Sequence, residues 1–230
     1  AVEDNDNGLV STDSYLGVFY PSGFTSDNFG NNVVVPASHM MLRTIALSDQ
    51  VSFPWFAPAG TRRGGITNAS STGYISNEGE FVSTALNEGQ RDTLYTNNVN
   101  PITFITGAGL VNYGQKTRFA GSSALDRINV ARLVIYMRSQ LNKLARPYVF
   151  EPNDKITRDE IKAQAESLLL ELVGNRAIYD FLVVCDESNN TPTRIDRNEL
   201  YLDIAIEPVK AVEFIYVPLR LKNTGEIAGL

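Results

Sequence analysis

One cysteine, Cys185, and one histidine, His39, are all that this 230-residue chain supplies of the two side chains most used in metal binding and nucleophilic catalysis. That scarcity excludes an intramolecular disulfide framework, a Cys/His zinc cluster and any mechanism needing two imidazoles. No apolar run reaches the roughly 18 residues a helical membrane span requires; the longest, such as Phe181 to Cys185, have strand length. Positive charge is scarce as well. Lys and Arg number 20 against 26 Asp and Glu, a net charge of −6, which argues against nonspecific binding of nucleic acid by the whole surface. What remains is ordinary globular material: 43% hydrophobic and 20% charged residues rule out a disordered, collagen-like or coiled-coil chain. The length fits one large domain, or one domain with a satellite.

Residues 1 to 14 read as a polar, mobile segment. Tyr15 to Tyr20 reads as a strand stopped by Pro21-Ser22-Gly23, and Val33 to Val35 as another apolar run stopped by Pro36. Met41, Leu42, Ile45 and Ala46 keep helical spacing from about Ser38 to Ser48, with His39 in the first turn. Phe53-Pro-Trp-Phe-Ala-Pro-Ala-Gly60 breaks all periodicity; its prolines and large aromatics predict an ordered loop packed over a core, extended by Gly60-Thr-Arg-Arg-Gly-Gly65. Residues 66 to 98 are polar and weakly patterned, with one short helix near Asn87 to Tyr95. Ile102 to Ile105 and Leu110 to Tyr113 read as short strands joined tightly through Gly107-Ala-Gly109.

A long helix is expected from about Ala124 to Ala145, capped by Ser122 or Ser123. Val130, Leu133, Val134, Met137, Leu141 and Leu144 form one continuous apolar stripe along it. Arg127, Arg132, Arg138, Lys143 and Arg146 spread over its flank and back, opposed by Asp126 alone. Thr157-Arg-Asp-Glu160 predicts the start of a second amphipathic helix that ends at Gly174. Ala177 to Cys185 reads as a strand buried on both faces, followed by the polar turn Asp186 to Pro192. Leu200 to Glu207 alternates like a strand with one buried face, and Val212 to Val217 reads as a further strand bounded by Pro218. Residues 219 to 230 look like an extended arm. The fold class is therefore α/β, with α+β as the alternative: a mixed β-sheet packed with helices, two of them long and amphipathic, plus an extended carboxy-terminal arm.

Chemical sites are thin. Ser38 precedes His39, but neighbours one apart on a helix do not face each other, so no nucleophile and base pair results. Cys185 closes a buried strand and reads as a small core residue. Gly107-Ala-Gly109 lacks the third glycine of a dinucleotide fingerprint, and Gly60 to Gly65 lacks the Lys-Ser/Thr ending of a phosphate loop, though two guanidiniums there could form an anion nest. Asp186, Glu187, Asp196 and Asp203 do not have metal-loop spacing. No catalytic, cofactor or metal residue is assigned. Five cations against one anion on the long helix of an acidic chain is more segregation than solubility requires, and an acidic protein partner fits it better than nucleic acid.

Several segments, in order, resemble one family, the contractile tail sheath proteins of bacteriophages and related injection machines. They are Val35-Pro-Ala-Ser-His-Met40, Pro54 to Gly60 with Arg63-Gly64, Asn100-Pro-Ile-Thr-Phe104, Tyr113-Gly-Gln-Lys-Thr117 and Asp126-Arg-Ile-Asn-Val-Ala-Arg-Leu133. Phe150-Glu-Pro-Asn-Asp154, Phe181 to Glu187 with Asn189 to Pro192, and Ile206-Glu-Pro-Val-Lys-Ala-Val-Glu-Phe-Ile-Tyr216 continue the series. The resemblance covers roughly residues 15 to 222. It implies a non-enzymatic structural subunit that needs no cofactor. Such a subunit polymerises helically around a tail tube and contracts to drive the tube through the host envelope. It divides the chain into a first part of the sheath module at 15–98, a carboxy-terminal module at 99–218 and an arm at 219–230. Family members also carry an amino-terminal arm and outer insertion domains, so the chain is expected to be the carboxy-terminal portion of a longer protein.

The implied partners are other sheath subunits in stacked hexameric rings, the tube protein, and baseplate and tail terminator proteins, with no nucleic acid and no membrane insertion. The implied location is the virion tail, after assembly in the host bacterial cytoplasm. Arg127, Arg132, Arg138, Lys143 and Arg146 are the candidates for tube contact. Leu219, Leu221, Ile227 and Leu230 are the candidates for an arm that joins a neighbour's sheet. The alternatives are a subunit of a tailocin-like injection machine and, from another class, a phosphate- or nucleotide-binding α/β enzyme using Arg62 and Arg63.

Overall fold

The computed structural model describes residues 13–119 and 121–217; the arm candidates Leu219, Leu221, Ile227 and Leu230 lie outside them. The chain forms β1 (Phe19–Tyr20), β2 (Ser22–Ser26), β3 (Asn32–Val35), α1 (Ala37–Val51), the single turn α2 (Gly60–Arg63), β4 (Ser71–Ile75), β5 (Phe81–Ser83) and α3 (Glu88–Thr96). The second half adds β6 (Asn100–Ile105), β7 (Gly109–Asn112), α4 (Ile128–Ala145), α5 (Lys155–Gly174), β8 (Ile178–Val184), α6 (Pro192–Asp196) and β9 (Asp203–Pro208).

The β-structure falls into three small sheets. A mixed sheet runs β1-β6-β7, with β1 parallel to β6 and β6 antiparallel to β7; an antiparallel sheet runs β3-β2-β4-β5; β8 and β9 make an antiparallel ribbon. The expected mixed sheet with covering helices is present. With β1–β6 the one parallel pairing among the described strands, the arrangement leans to the α+β alternative.

Two cores hold these layers. α1 buries Met40 and Met41 against Ile66, Ile102 and Leu110 of the mixed sheet. α4, α5 and the ribbon enclose Leu133, Met137, Ala165, Leu169, Leu172, Ile178 and Val183, joined by Trp55 from the early loop. Each core draws residues from both sides of position 98, because Ile102 packs on α1 and Trp55 on α4.

The Trp55 loop is ordered and packed, as its prolines and aromatics predict. Trp55 is 5% exposed, donates from Nε1 to the Asn175 carbonyl at 3.0 Å, stacks on Phe53 at 4.7 Å and meets Tyr136 edge-on at 5.3 Å. The next residues differ from expectation. Gly60–Arg63 is a helical turn in which Gly64 N–H already donates to the Gly60 carbonyl, so this backbone group is not free to cradle an anion.

Other differences have local causes. Pro21 separates strands of two different sheets rather than ending strand structure, so β2 begins at once, and only Phe19 and Tyr20 of the expected first strand are paired. α1 turns its buried face toward Met40, Met41, Thr44 and Ser48, leaving Leu42 70% exposed. Thr44 can be buried because its hydroxyl donates to the Met40 and Gly65 carbonyls. β4 and β5 lie in the weakly patterned stretch. There Gly73 is required by close approach: a Cβ would stand 2.1 Å from the Val82 carbonyl oxygen of β5.

The long helix starts later than expected. Ser123 caps a 3-10 turn at Ala124–Asp126, and Arg127 is extended at φ −120°, ψ 138° before α4 begins. The break is imposed by a backbone bridge: Thr117 N–H donates to the Asp126 carbonyl at 3.0 Å and Ile128 N–H to the Gln115 carbonyl at 2.7 Å. α5 begins at Lys155, two residues ahead of the expected start, and is capped by Asp154, whose carboxylate accepts Thr157 N–H at 2.9 Å.

β8 is buried on one face only, since helices cover just one side of the two-stranded ribbon; Tyr179 and Leu182 are 64% and 62% exposed. The turn after it is fixed by two buried amides. Asn190 donates to the Tyr201 carbonyl at 2.9 Å and accepts Tyr201 N–H at 2.7 Å, while Asn189 donates to the Val184 carbonyl at 2.8 Å. Cys185 is buried, and His39 is exposed on α1. No helix among the described residues is long and apolar enough to cross a membrane.

Candidate functional site

Val212 to Val217 does not pair as a strand. It leaves β9 through residues 209–211 as an extended strap, tied to the body by Val209 N–H donating to the Ala177 carbonyl at 3.0 Å. Its side chains point largely into solvent: Val212, Phe214, Ile215, Tyr216 and Val217 are between 67% and 87% exposed. Apolar side chains on backbone without a ladder partner make a surface that is stable only when something covers it.

Glu213, the lone charge in that run, is the exception. Its carboxylate accepts Arg127 Nε at 2.6 Å, Arg127 Nη2 at 3.0 Å and Gln115 Nε2 at 3.2 Å. The extended Arg127 described above is what aims the guanidinium back at the strap. Burial pushes the Glu213 carboxyl up, but the hydrogen bonds and charge of Arg127, with Tyr95 and Gln115, outweigh it and hold the group below its ordinary 4.5. Burial, then the Glu213 charge, raises the Tyr95 hydroxyl. Burial works against the Arg127 cation, but the Glu213 contact prevails and raises it. Lys116, which donates to the Tyr95 carbonyl at 2.8 Å, is lowered by burial and then by Arg127. Sequence reasoning missed Glu213. The available signal was a single carboxylate inside an apolar run, which asks for a partner.

Between the strap, the Trp55 loop, α2, α3 and the segment Tyr113 to Gln115 after β7 lies an open cleft of about 800 Å³. Phe56, Val212 and Ile215 give it apolar walls, and Arg62, Arg63 and Arg176 cationic ones. Arg63 lies over the Phe56 ring at 4.8 Å and donates to the Ala57 carbonyl at 3.3 Å. Burial, then the charges of Arg62 and Arg176, lowers it. No group of three metal-binding side chains occurs among the described residues.

Residues 121–222 match the family described as the phage tail sheath C-terminal domain. Over the full chain the sequence is 36% identical to the tail sheath protein of Vibrio phage KVP40, and over 98% of it 32% identical to that of Enterobacteria phage T4. The chain is similar to phage tail sheath proteins along its whole length. It spans about a third of the length of these curated relatives, 33% of each. The fold is also that of the anti-feeding prophage helical sheath in its contracted state, with a TM-score of 0.78 at 20% identity over 93% of this chain and 57% of that one.

The five cations of the basic helix divide into two sets. Arg127 is held by Glu213, and Arg132 donates from Nη2 to both carboxylate oxygens of Asp49 on α1, at 2.7 Å to Oδ1. Arg138, Lys143 and Arg146 are exposed and have no ion pair among the described residues. The β8–β9 ribbon offers open edges, since β8 and β9 pair only with each other among the described strands.

Proposed function

We propose that this chain is the conserved portion of a contractile phage tail sheath subunit, a structural protein that polymerises helically around the tail tube and contracts to drive it through the host envelope. The observation that carries the reading is the juxtaposition of an unpaired apolar strap with a ribbon that has no further strand. Each supplies what the other lacks, and a strap from one copy added to the ribbon of the next satisfies both without a new core. The pairing is head to tail, so it propagates rather than closes, and many weak links allow rearrangement while the array holds. Residues 219–230, with Leu219, Leu221, Ile227 and Leu230, continue the strap and extend this joint.

Arg138, Lys143 and Arg146 are the cations we assign to the tube. Exposed ion pairs are worth only about 0–1 kcal/mol each, which suits a grip that releases on contraction. Arg127 and Arg132 act through their internal partners instead. Baseplate and terminator proteins are the partners at the two ends of the array, and the virion tail, assembled in the host bacterial cytoplasm, is its place. A tailocin-like injection machine would use the same subunit chemistry.

The test is electron microscopy of the full-length protein: hollow tubes are expected, and removal of residues 219–230 should abolish them. A protein that stays monomeric at high concentration, or tubes that form unchanged without those residues, would overturn the reading. Thermal shift with nucleotides addresses the enzyme alternative, and no stabilisation is expected.

A further inference from the structure

The arginine wall of the cleft beside the strap and the β4–β5 hairpin have complementary chemistry, and neither Arg62, Arg63 and Arg176 nor the hairpin belongs to the strap joint described above. The hairpin tip is a rigid, exposed acidic knob. Ser76 organises it: Ser76 N–H donates to the Glu80 carbonyl at 2.8 Å, Gly79 N–H donates to the Ser76 carbonyl at 3.0 Å, and the Ser76 hydroxyl accepts Glu78 N–H and Glu80 N–H, each at 3.3 Å. Gly79, at φ +84°, makes the turn. The Glu78 and Glu80 side chains are exposed and have no partner among the described residues. Behind the tip the hairpin exposes apolar side chains, Tyr74 at 44%, Ile75 at 57% and Val82 at 38%.

One wall of the cleft offers the inverse, while its α3 side is of mixed charge, with Glu88 and Asp92 beside Arg91. Arg62, Arg63 and Arg176 line the cleft together, none of them in an ion pair among the described residues, and Phe56, Val212 and Ile215 line it with them. Three mutually repelling cations are relieved by a carboxylate, and a preorganised knob loses little freedom on docking. Residues 76–80 are not among those lining the cleft of their own chain.

We infer that the cleft lined by Arg62, Arg63 and Arg176 receives the Glu78/Glu80 hairpin tip of a second copy of this chain. Each copy then presents one free knob and one free cleft, a heterologous contact that repeats along an array. This rests on the sheath reading for the array, and it adds a charged joint alongside the strap.

The test uses polymers of the full-length protein. Cys185 is the sole cysteine and is buried, so Asn77→Cys and Thr61→Cys, both at exposed sites, report proximity cleanly. Mixing the two single variants and oxidising should give a disulfide-linked dimer that neither variant forms alone. Glu78→Lys with Glu80→Lys should weaken that contact roughly tenfold or more, and Arg62→Glu with Arg176→Glu on the other copy should restore it. Tubes that form with no cross-link, a cross-link indifferent to both reversals, or one formed by Thr61→Cys alone would each overturn this contact while leaving the sheath reading standing. Absence of any polymer would overturn the sheath reading and the contact with it.

Discussion

Replacing Glu213 with glutamine tests whether the strap is held by its carboxylate. The change keeps the shape and removes the charge that Arg127 grips through two nitrogens, at 2.6 and 3.0 Å. Fully buried pairs cost about 3–5 kcal/mol when one partner is lost. Here the two side chains retain 28% and 16% exposure, so about 2 kcal/mol, in the range for hydrogen bonds to charged groups, is the better figure. At about 1.4 kcal/mol per factor of ten, that raises the undocked fraction roughly 30-fold. The strap has one described backbone hydrogen bond beyond this contact, so the loss is local and the melting temperature stays put. Trypsin cleavage after Lys210 reads the undocked fraction directly when opening is faster than cutting. Equal cleavage rates in the two proteins would refute the reasoning, as would faster cleavage accompanied by a matching fall in global stability.

The same clamp depends on pH. Glu213 has a folded pKa below its ordinary 4.5, so its contribution is complete above that value and is lost as pH falls through the depressed one; a dye on Val217→Cys should gain mobility only on the acid side. Trp55→Ala empties a site enclosed by Phe53, Tyr136 and the Asn175 carbonyl, and should cost about 3–5 kcal/mol, read as a lower urea midpoint. Gly73→Ala drives a methyl into the Val82 carbonyl and should cost about 1–3 kcal/mol while loosening β5, checked by hydrogen exchange of residues 81–83. Arg138→Glu with Lys143→Glu should leave polymerisation intact and abolish tube attachment in a cosedimentation assay, whereas Arg132→Glu should lower the melting temperature through loss of Asp49.

Periodicity made much of this fold legible. The stripe along α4 and the alternation of β9 are the direct imprint of one covered face, and the Gly107 to Gly109 turn follows from its positive φ values. What stayed hidden depends on partners distant in sequence. β4 is polar because its neighbours supply the burial, and its glycine reads as a breaker although β5 demands it. Arg127 interrupts α4 because residues 115–117 bridge to 126–128, a constraint absent from local propensity. The basic helix likewise looked uniform until Asp49 and Glu213, 83 and 86 positions away, claimed two of its five cations. The exposed segment 212–217 carries a strand's composition without a strand's partner. The composition predicts a strand at 212–217, and none forms because no described strand pairs with it.

The order of attachments along the strap sets how the subunit bears tension. Glu213 stands between the exposed residues 214–217 and β9, so a tug from the carboxy-terminal side reaches Arg127 and the head of α4 before it reaches the β8–β9 ladder. A load that would otherwise peel a two-stranded ribbon one bond at a time is thereby handed to a helix seated in the larger core. The clamp therefore takes the load ahead of the ribbon and shields its ladder for as long as Glu213 stays on Arg127.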